Sequence, residues 1–246
     1  MTVQIFLSFF ARIWPGLLVL GSIFVFLKPS KNLRIVLYLM AFVLFRDALT
    51  PLGLWSFGSN DGFFWIRLSD DPWFLMLFGV AALGLTLAVY FLDKESREDW
   101  EWIKGNPGVA GLIGVAGAIL VVAPFFIAYS FQPITMRGGA VAGGLVIPTL
   151  MFALLGNFME EGLFRGSVLG YLKTGRSEIQ AGLLSGLVFA LCHIFLALTV
   201  TDAGWPLLVF TLWEGFIAGV IGAKHGVVAA TLTHGGAIFL LSSGLF

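Results

Sequence analysis

Residues 143–172 read GGLVIPTLMFALLGNFMEEGLFRGSVLGYL, an apolar run with two glutamates and an arginine in its second half. About 20 apolar residues in a helix span a bilayer, so this stretch is long enough to cross a membrane. A charge at the bilayer centre costs about 2.5–3.5 kcal/mol on insertion scales. We therefore expect Glu160, Glu161 and Arg165 to face other helices or a wet cavity rather than lipid.

The composition of the whole chain is typical of a membrane protein. Of its 246 residues, 59% are hydrophobic and 11% are charged, whereas soluble domains carry roughly 25% charged residues. These proportions exclude disorder, a coiled coil and an ordinary cytosolic enzyme. The net charge is zero, so the chain offers no basic face to nucleic acid. The single cysteine excludes an internal disulfide and a CxxC site.

Long apolar runs predict an all-α fold, a polytopic membrane helix bundle of about eight transmembrane helices. The predicted spans are 5–27, 33–54, 73–92, 108–129, 143–172, 179–200, 205–223 and 226–245. Arg46, Asp47 and Pro51 interrupt the second span. An end near Phe45, followed by an interfacial segment rich in Trp and Phe up to about Trp73, is the alternative for that region.

The distribution of basic residues predicts how the bundle is oriented. The odd-numbered loops hold nine Lys and Arg residues and the even-numbered loops hold three. Because Lys and Arg favour the cytoplasmic side, we expect the odd loops in the cytoplasm and both termini outside. The protein is then an integral, multi-pass protein, and we expect it in the plasma (inner) membrane, in contact with membrane lipid.

Ionisable residues inside the predicted spans are concentrated in the last four. His193 lies in the sixth span, Glu214 in the seventh and His234 in the eighth. Since buried charge in a membrane marks function, residues 143–246 are predicted to form a catalytic four-helix module. Residues 1–142 are predicted to be N-terminal transmembrane helices that serve packing and orientation.

Helical geometry sorts the charges of the fifth span. Glu161 and Arg165 are spaced i,i+4 with the acid first, the favourable order for an ion pair. Glu160 diverges from Glu161 by about 100°, so it is predicted to be free and to project into a cavity towards His193 and His234. Glycines lie on a further face of this helix and in the seventh span, where they favour close approach of a neighbouring helix: Gly162, Gly166, Gly170, Gly215 and Gly219.

These residues resemble the CPBP family of intramembrane proteases, which includes CAAX prenyl endopeptidases and bacteriocin-processing or immunity relatives. The EExxxR motif is matched by Glu160-Glu161-Gly-Leu-Phe-Arg165, and FxxxH is matched by Phe189-Ala-Leu-Cys-His193. The last motif, a histidine followed four residues later by Asn or Asp, is half matched, because His234 is present but Ile238 occupies the polar position. The resemblance covers about 100 C-terminal residues.

The resemblance implies that a glutamate-activated water hydrolyses a peptide bond at membrane depth. Its substrate would be a membrane-embedded or lipid-anchored peptide or protein. By position, Glu160 would be the general base, His193 would orient the water and His234 would stabilise the oxyanion. Glu161 and Arg165 would hold the site together.

Four further residues are auxiliary candidates, and the first of them is Phe189 of the FxxxH motif. Asn157 and Thr231 each lie one helical turn from a motif residue, and either is a candidate to replace the polar group that Ile238 lacks. Glu214 belongs to no motif. It is either a further site carboxylate that anchors a histidine proton or a structural charge paired with a neighbouring helix.

Several other functions are compatible with the same residues. Two histidines and up to three carboxylates are a donor set that zinc accepts, but HExxH is absent, so we expect no cofactor. Acid and histidine chains within spans also carry protons, which keeps a proton relay or transporter open. Because Ile238 occupies the polar position of the last motif, a non-catalytic immunity or scaffold protein is a further candidate function. A network that only selects helix partners is the structural alternative.

Overall fold

The fold is a bundle of long helices with one β-hairpin near its N-terminal third. The computed structural model describes residues 2–49, 52–60, 63–195, 197–198 and 204–245. The α-helices of these residues are α1 (Thr2–Ser22), α2 (Lys31–Leu49), α3 (Pro72–Leu92), α4 (Lys94–Arg97), α5 (Pro107–Tyr129), α6 (Val146–Glu161), α7 (Leu169–Leu172), α8 (Glu178–Cys192), α9 (Trp205–His225) and α10 (Val227–Ser243). Two π-helical turns continue α1 and α6, at Ile23–Leu27 and Gly162–Val168.

Each predicted apolar run contains a helix, which confirms the predicted membrane helix bundle. Five helical segments of the described chain are long and apolar enough to cross a membrane: Val3–Leu27, Pro72–Leu92, Pro107–Tyr129, Gly143–Leu172 and Trp205–His225. Helices α8 and α10 are apolar but shorter, with 15 and 17 residues. The number of eight complete spans therefore stays a prediction.

The region after α2 differs from the expected interfacial segment. Helix α2 continues through Arg46 and ends at Leu49, while Pro51 lies outside the described residues. The chain then forms strands β1 (Trp55–Asn60) and β2 (Phe63–Leu68), which pair antiparallel. The register pairs Trp55 with Leu68 and Phe57 with Ile66. Directly opposed residues of an antiparallel pair share one face, so these four apolar side chains form a common surface.

Polar caps fix where three helices begin. The Asp71 carboxylate accepts hydrogen bonds from the backbone N–H groups of Trp73 and Phe74, at 3.0 and 3.1 Å, and starts α3. The Asn106 side chain does the same for α5, and Ser177 and Gln180 form a capping box at α8. Because the first N–H groups of a helix have no partner within it, these caps satisfy donors and set the start of each helix.

Glycines let α8 and α9 approach backbone to backbone. A methyl group added at Gly186 would lie 2.5 Å from the Gly215 carbonyl oxygen, and one at Gly182 would lie 2.7 Å from that of Gly219. The predicted role of Gly215 and Gly219 in close packing is confirmed. This contact brings the end of α8, which is followed by His193, towards Glu214 on α9.

The glycine face that follows Glu161 packs differently from the prediction. Gly162 and Gly166 lie against the Trp100 ring, and Gly170 lies against Asp99. The expectation of a neighbouring helix holds only at Gly162, which also lies against Thr86 of α3, because the loop after α4 occupies the rest of this face. The Trp100 indole N–H donates to the Ser167 hydroxyl at 3.0 Å, which fixes the ring there.

Candidate active site

The π turn after α6 places two consecutive glutamates and an arginine inside the bundle. Glu160 and Glu161 are the last residues of α6, and Arg165 lies within the turn Gly162–Val168. All three residues are buried. Single π turns within helices are frequent at functional sites, so the turn after Glu161 supports both glutamates as candidate site residues.

Glu161 is the centre of one buried chain of contacts. Its Oε1 atom accepts a hydrogen bond from Arg165 Nη1 at 2.8 Å, which confirms the predicted ion pair. The same oxygen lies 2.8 Å from His234 Nδ1. A second Arg165 N–H donates to the Gly215 carbonyl oxygen at 3.0 Å and ties the pair to α9. Burying a charge is tolerated when it is paired and hydrogen-bonded, and this chain meets that condition.

Glu160 belongs to a second chain of contacts that the sequence analysis missed. Arg46 of α2 donates from Nη2 to Glu160 Oε1, and the same Nη2 lies 3.5 Å from the Gly156 carbonyl oxygen. The other carboxylate oxygen, Oε2, lies 3.4 Å from His193 Nε2. The expectation of a free Glu160 was therefore wrong, because a guanidinium from the N-terminal part of the chain neutralises it. The signal was present in the sequence as a charge within the second apolar run.

The ring of His193 is fixed by its own helix. His193 follows the last residue of α8, and its Nδ1 lies 2.8 Å from the Phe189 carbonyl oxygen. A carbonyl oxygen only accepts hydrogen bonds, so Nδ1 carries the proton and Nε2 faces Glu160. The Phe189 ring packs against His193, with centroids 4.2 Å apart, and against His234, with centroids 5.2 Å apart. Phe189 thereby separates and orients the two imidazoles.

His234 lies between two carboxylates. Its Nδ1 bonds to Glu161, so its Nε2 points the other way and lies 3.7 Å from Glu214 Oε2. Glu160, His193 and His234 line one cavity, as predicted, while the direct contacts pair Glu160 with His193 and His234 with Glu161. Glu214 is buried and in contact with a site histidine on the neighbouring helix α10, which agrees with both of its interpretations.

A cavity of ≈ 90 Å³ lies beside Glu160, His193 and His234. Its polar lining consists of Arg46, Asn157, Glu160, His193, Thr211, Glu214 and His234. Apolar residues complete the wall: Trp55, Phe57, Ile66, Leu68, Phe152, Phe189, Phe195, Leu207, Phe210 and Ile238. The apolar face of the hairpin is thus one wall of the site. Room for a few water molecules beside a carboxylate and an imidazole is the arrangement that hydrolysis requires.

The auxiliary candidates Asn157 and Thr231 have different surroundings in the structure. Asn157 lines the cavity, and its amide nitrogen donates to the Ala153 carbonyl oxygen at 2.7 Å. Thr231 is absent from the described lining, and its hydroxyl donates to the Val227 carbonyl oxygen at 2.9 Å. Thr231 was therefore wrongly considered as a replacement for the polar group at position 238.

The arrangement of possible metal ligands is dispersed. Within the described parts of the chain, no group of three or more His, Cys, Asp or Glu side chains is arranged to hold a metal ion. The carboxylates that line the cavity are instead paired, Glu160 with Arg46 and His193 and Glu214 with His234.

The C-terminal part of the chain matches a known family. Residues 142–240 match the family model described as type II CAAX prenyl endopeptidase Rce1-like. This segment contains Glu160, Glu161, Arg165, His193 and His234 and leaves Arg46 and the hairpin unmatched. No curated protein and no solved structure matches the chain significantly.

Proposed function

Residues 142–240 belong to the Rce1-like family of CAAX-type proteases, and from this premise we propose that the chain is an intramembrane endopeptidase. It hydrolyses a peptide bond of a membrane-anchored or CAAX-like substrate with a water activated by Glu160. The observation that carries the proposal is the contact between Glu160 Oε2 and His193 Nε2, 3.4 Å apart at the wall of a cavity inside an apolar bundle.

The two facing atoms are suited to bind one water molecule. Glu160 Oε2 has no hydrogen-bond partner among the described residues, and His193 Nε2 is an acceptor while Nδ1 carries the proton. Two acceptors do not bond to each other, but a water beside them donates one hydrogen to each. Such a water is held with its oxygen lone pair directed away from both acceptors, towards an incoming carbonyl carbon.

The proposed reaction follows from this arrangement. Glu160 takes a proton from the water as the oxygen attacks the carbonyl carbon, and the C=O electrons move onto the carbonyl oxygen. As the tetrahedral intermediate collapses, the C–N bond breaks and the proton passes from Glu160 to the leaving amine. The products are a carboxyl terminus and an amino terminus. A positioned base contributes typically 10²–10⁴-fold to such a rate.

The remaining charged residues position this machinery. Arg165 holds Glu161, Glu161 holds His234, and His234 reaches the cavity with Nε2. Glu161 engages the Nδ1 of His234 on one side of the ring, so Nε2 is the ring nitrogen available at the cavity wall.

Cleavage by the purified protein tests the proposal. We expect proteoliposomes to cleave at least one member of a panel of prenylated and unprenylated membrane peptides, with the cut site mapped by mass spectrometry. Glu160→Gln and His193→Ala should each lower the rate by about 10²–10⁴-fold. Glu98→Gln, at an exposed residue of the loop after α4, is the matched control and should retain activity. Cleavage by Glu160→Gln at the wild-type rate would exclude Glu160 as the base.

The same proteoliposomes distinguish the other candidate functions. The chain Glu161–His234–Glu214 is the observation that favours a proton relay. Proton flux that is lost in His234→Ala, without any cleavage, would establish the relay. Absence of both flux and cleavage would favour a non-catalytic immunity or scaffold protein. Cleavage that resists chelators would exclude a metal-dependent version of the protease.

A further inference from the structure

The cavity lacks the polar group that the family motif has four residues after His234. Ile238 lines the cavity at that position and offers no hydrogen bond. The Thr211 hydroxyl donates to the Leu208 carbonyl oxygen at 3.0 Å, and one of the two N–H groups of the Asn157 amide donates to the Ala153 carbonyl oxygen, so these side chains keep at most one N–H for the cavity. A tetrahedral intermediate formed here would need other donors for its negative oxygen.

Two residues of the N-terminal part carry buried N–H groups at the same cavity. Arg46 is 6% exposed, and its Nε has no hydrogen-bond partner among the described residues. The indole nitrogen of Trp55, on β1, is also buried without a partner in the described chain. Both residues line the cavity together with Glu160 and His193. Because a buried donor without a partner is unfavourable, these two N–H groups are available to an acceptor that arrives with the substrate.

We propose that Arg46 and Trp55 supply the N–H groups that stabilise the oxyanion, in place of the polar residue that Ile238 replaces. The inference rests on the proposed hydrolase function and adds two catalytic residues to it. Both residues lie outside the matched segment 142–240, so the site is completed by α2 and the hairpin.

The position of Arg46 suits the movement of charge during the reaction. In the resting site its guanidinium pairs with the Glu160 carboxylate. When Glu160 takes the proton of water, its negative charge is lost and an equal charge develops on the carbonyl oxygen. The cation then faces the oxyanion instead. Preorganised donors that meet charge only in the transition state raise kcat rather than substrate affinity.

The hairpin offers a matched pair of variants for the test. Trp55 and Trp65 are both indoles of the hairpin with a buried, unpartnered Nε1, but Trp65 lines a neighbouring cavity and not the one that holds Glu160. Trp55→Phe should lower kcat about 10²-fold with little change in KM. Trp65→Phe should keep kcat within about twofold of wild type, since the indole N–H that it removes lies at the neighbouring cavity and not beside the reacting atoms.

Arg46→Lys separates the donor from the charge. The lysine keeps a cation near Glu160 but loses the planar guanidinium and its Nε–H. We expect a fall in kcat of about 10²-fold.

Ile238→Asn should restore part of the activity of Trp55→Phe, because it returns an amide donor to the cavity wall. A double-mutant cycle over positions 55 and 238 measures this coupling.

The outcomes separate this inference from the proposed function. If wild type cleaves no peptide, the hydrolase function itself fails. If wild type cleaves and Glu160→Gln does not, but Trp55→Phe and Arg46→Lys keep the wild-type kcat, the oxyanion role is wrong and the hydrolase function stands. Equal losses in Trp55→Phe and Trp65→Phe, without rescue by Ile238→Asn, would show a structural role and overturn the inference.

Discussion

At the scale of single residues, one oxygen of Glu161 holds both Arg165 and His234. The Arg165 and Glu161 side chains are fully buried, so neither charge has water to compensate it. Removing one member of a buried ion pair leaves the other charge uncompensated, whereas replacing both is often tolerated. The stability of this pair is therefore a property of the two residues together.

Arg165→Met should strongly destabilise the protein. We expect a loss of about 3–5 kcal/mol in the free energy of unfolding, because Glu161 would remain buried with one partner fewer. The double variant Glu161→Gln/Arg165→Met should be more stable than Arg165→Met, because it leaves no buried carboxylate at position 161 without an arginine partner. Denaturant unfolding in detergent micelles measures both values. A double variant less stable than Arg165→Met would contradict the argument.

The spacing of residues decided which of these contacts could be predicted. Glu161 and Arg165 are one helical turn apart, and local helical geometry was sufficient to pair them. Arg46 and Glu160 are separated by 114 positions, and nothing in their spacing joins them. Arg46 was interpreted as the end of a span, because a single charge in an apolar run indicates either a boundary or a buried partner.

At the scale of elements, the glycine contact between α8 and α9 sets the width of the site. His193, directly after α8, and Glu214 of α9 line the same cavity. Small residues at a helix interface let backbones approach in a membrane. Any side chain inserted between α8 and α9 would therefore separate the two walls of the cavity.

Gly186→Ala should lower stability, because the added methyl group would lie 2.5 Å from the Gly215 carbonyl oxygen. Overpacking of this kind costs about 1–3 kcal/mol. Gly111→Ala is the matched control in α5, since nothing lies within 4 Å of the added group, and alanine favours a helix. Thermal unfolding in detergent compares the two. Equal midpoints for both variants would mean that α8 and α9 separate without cost.

The hairpin was the element that the sequence analysis did not predict. Its Trp and Phe residues were assigned to the membrane interface, where aromatic residues are also common. The signals for a hairpin were present, since Asp61-Gly62 is a typical turn pair between two runs of strand-forming residues. Those two residues lie outside the described residues, but the strands on either side pair in register.

At the scale of the whole molecule, ion pairs join the helices at one end of the bundle. Asp93, just after α3, accepts hydrogen bonds from Arg34 and Tyr38 of α2 and from Ser96, at 2.7–2.8 Å for the shortest of each. Lys104 pairs with Glu178, at the start of α8. Burial alone would raise the pKa of Asp93, but the hydrogen bonds from Tyr38 and Ser96 and the Arg34 charge outweigh it, so its pKa lies below the ordinary value.

Acid should weaken this end of the bundle. Because the pKa of Asp93 is lower in the folded state, its contribution is present above the unfolded pKa of about 3.9 and is lost as the pH falls below it. We expect Asp93→Asn to lower the unfolding midpoint at pH 7 and the difference from wild type to shrink towards about pH 3. Glu98→Gln, exposed and without a side-chain partner in the described chain, should show little difference at either pH. A difference in unfolding midpoint between wild type and Asp93→Asn that grows as the pH falls would contradict this argument.

The bond between Arg46 and Glu160 joins the two predicted parts of the chain, 1–142 and 143–246. Grafting the second part onto the first helices of another protein would bury a carboxylate without its counter-charge. The two parts must then be inherited as a unit, with compensating changes at positions 46 and 160 arising together. Ancestral reconstruction of this lineage would detect that covariation.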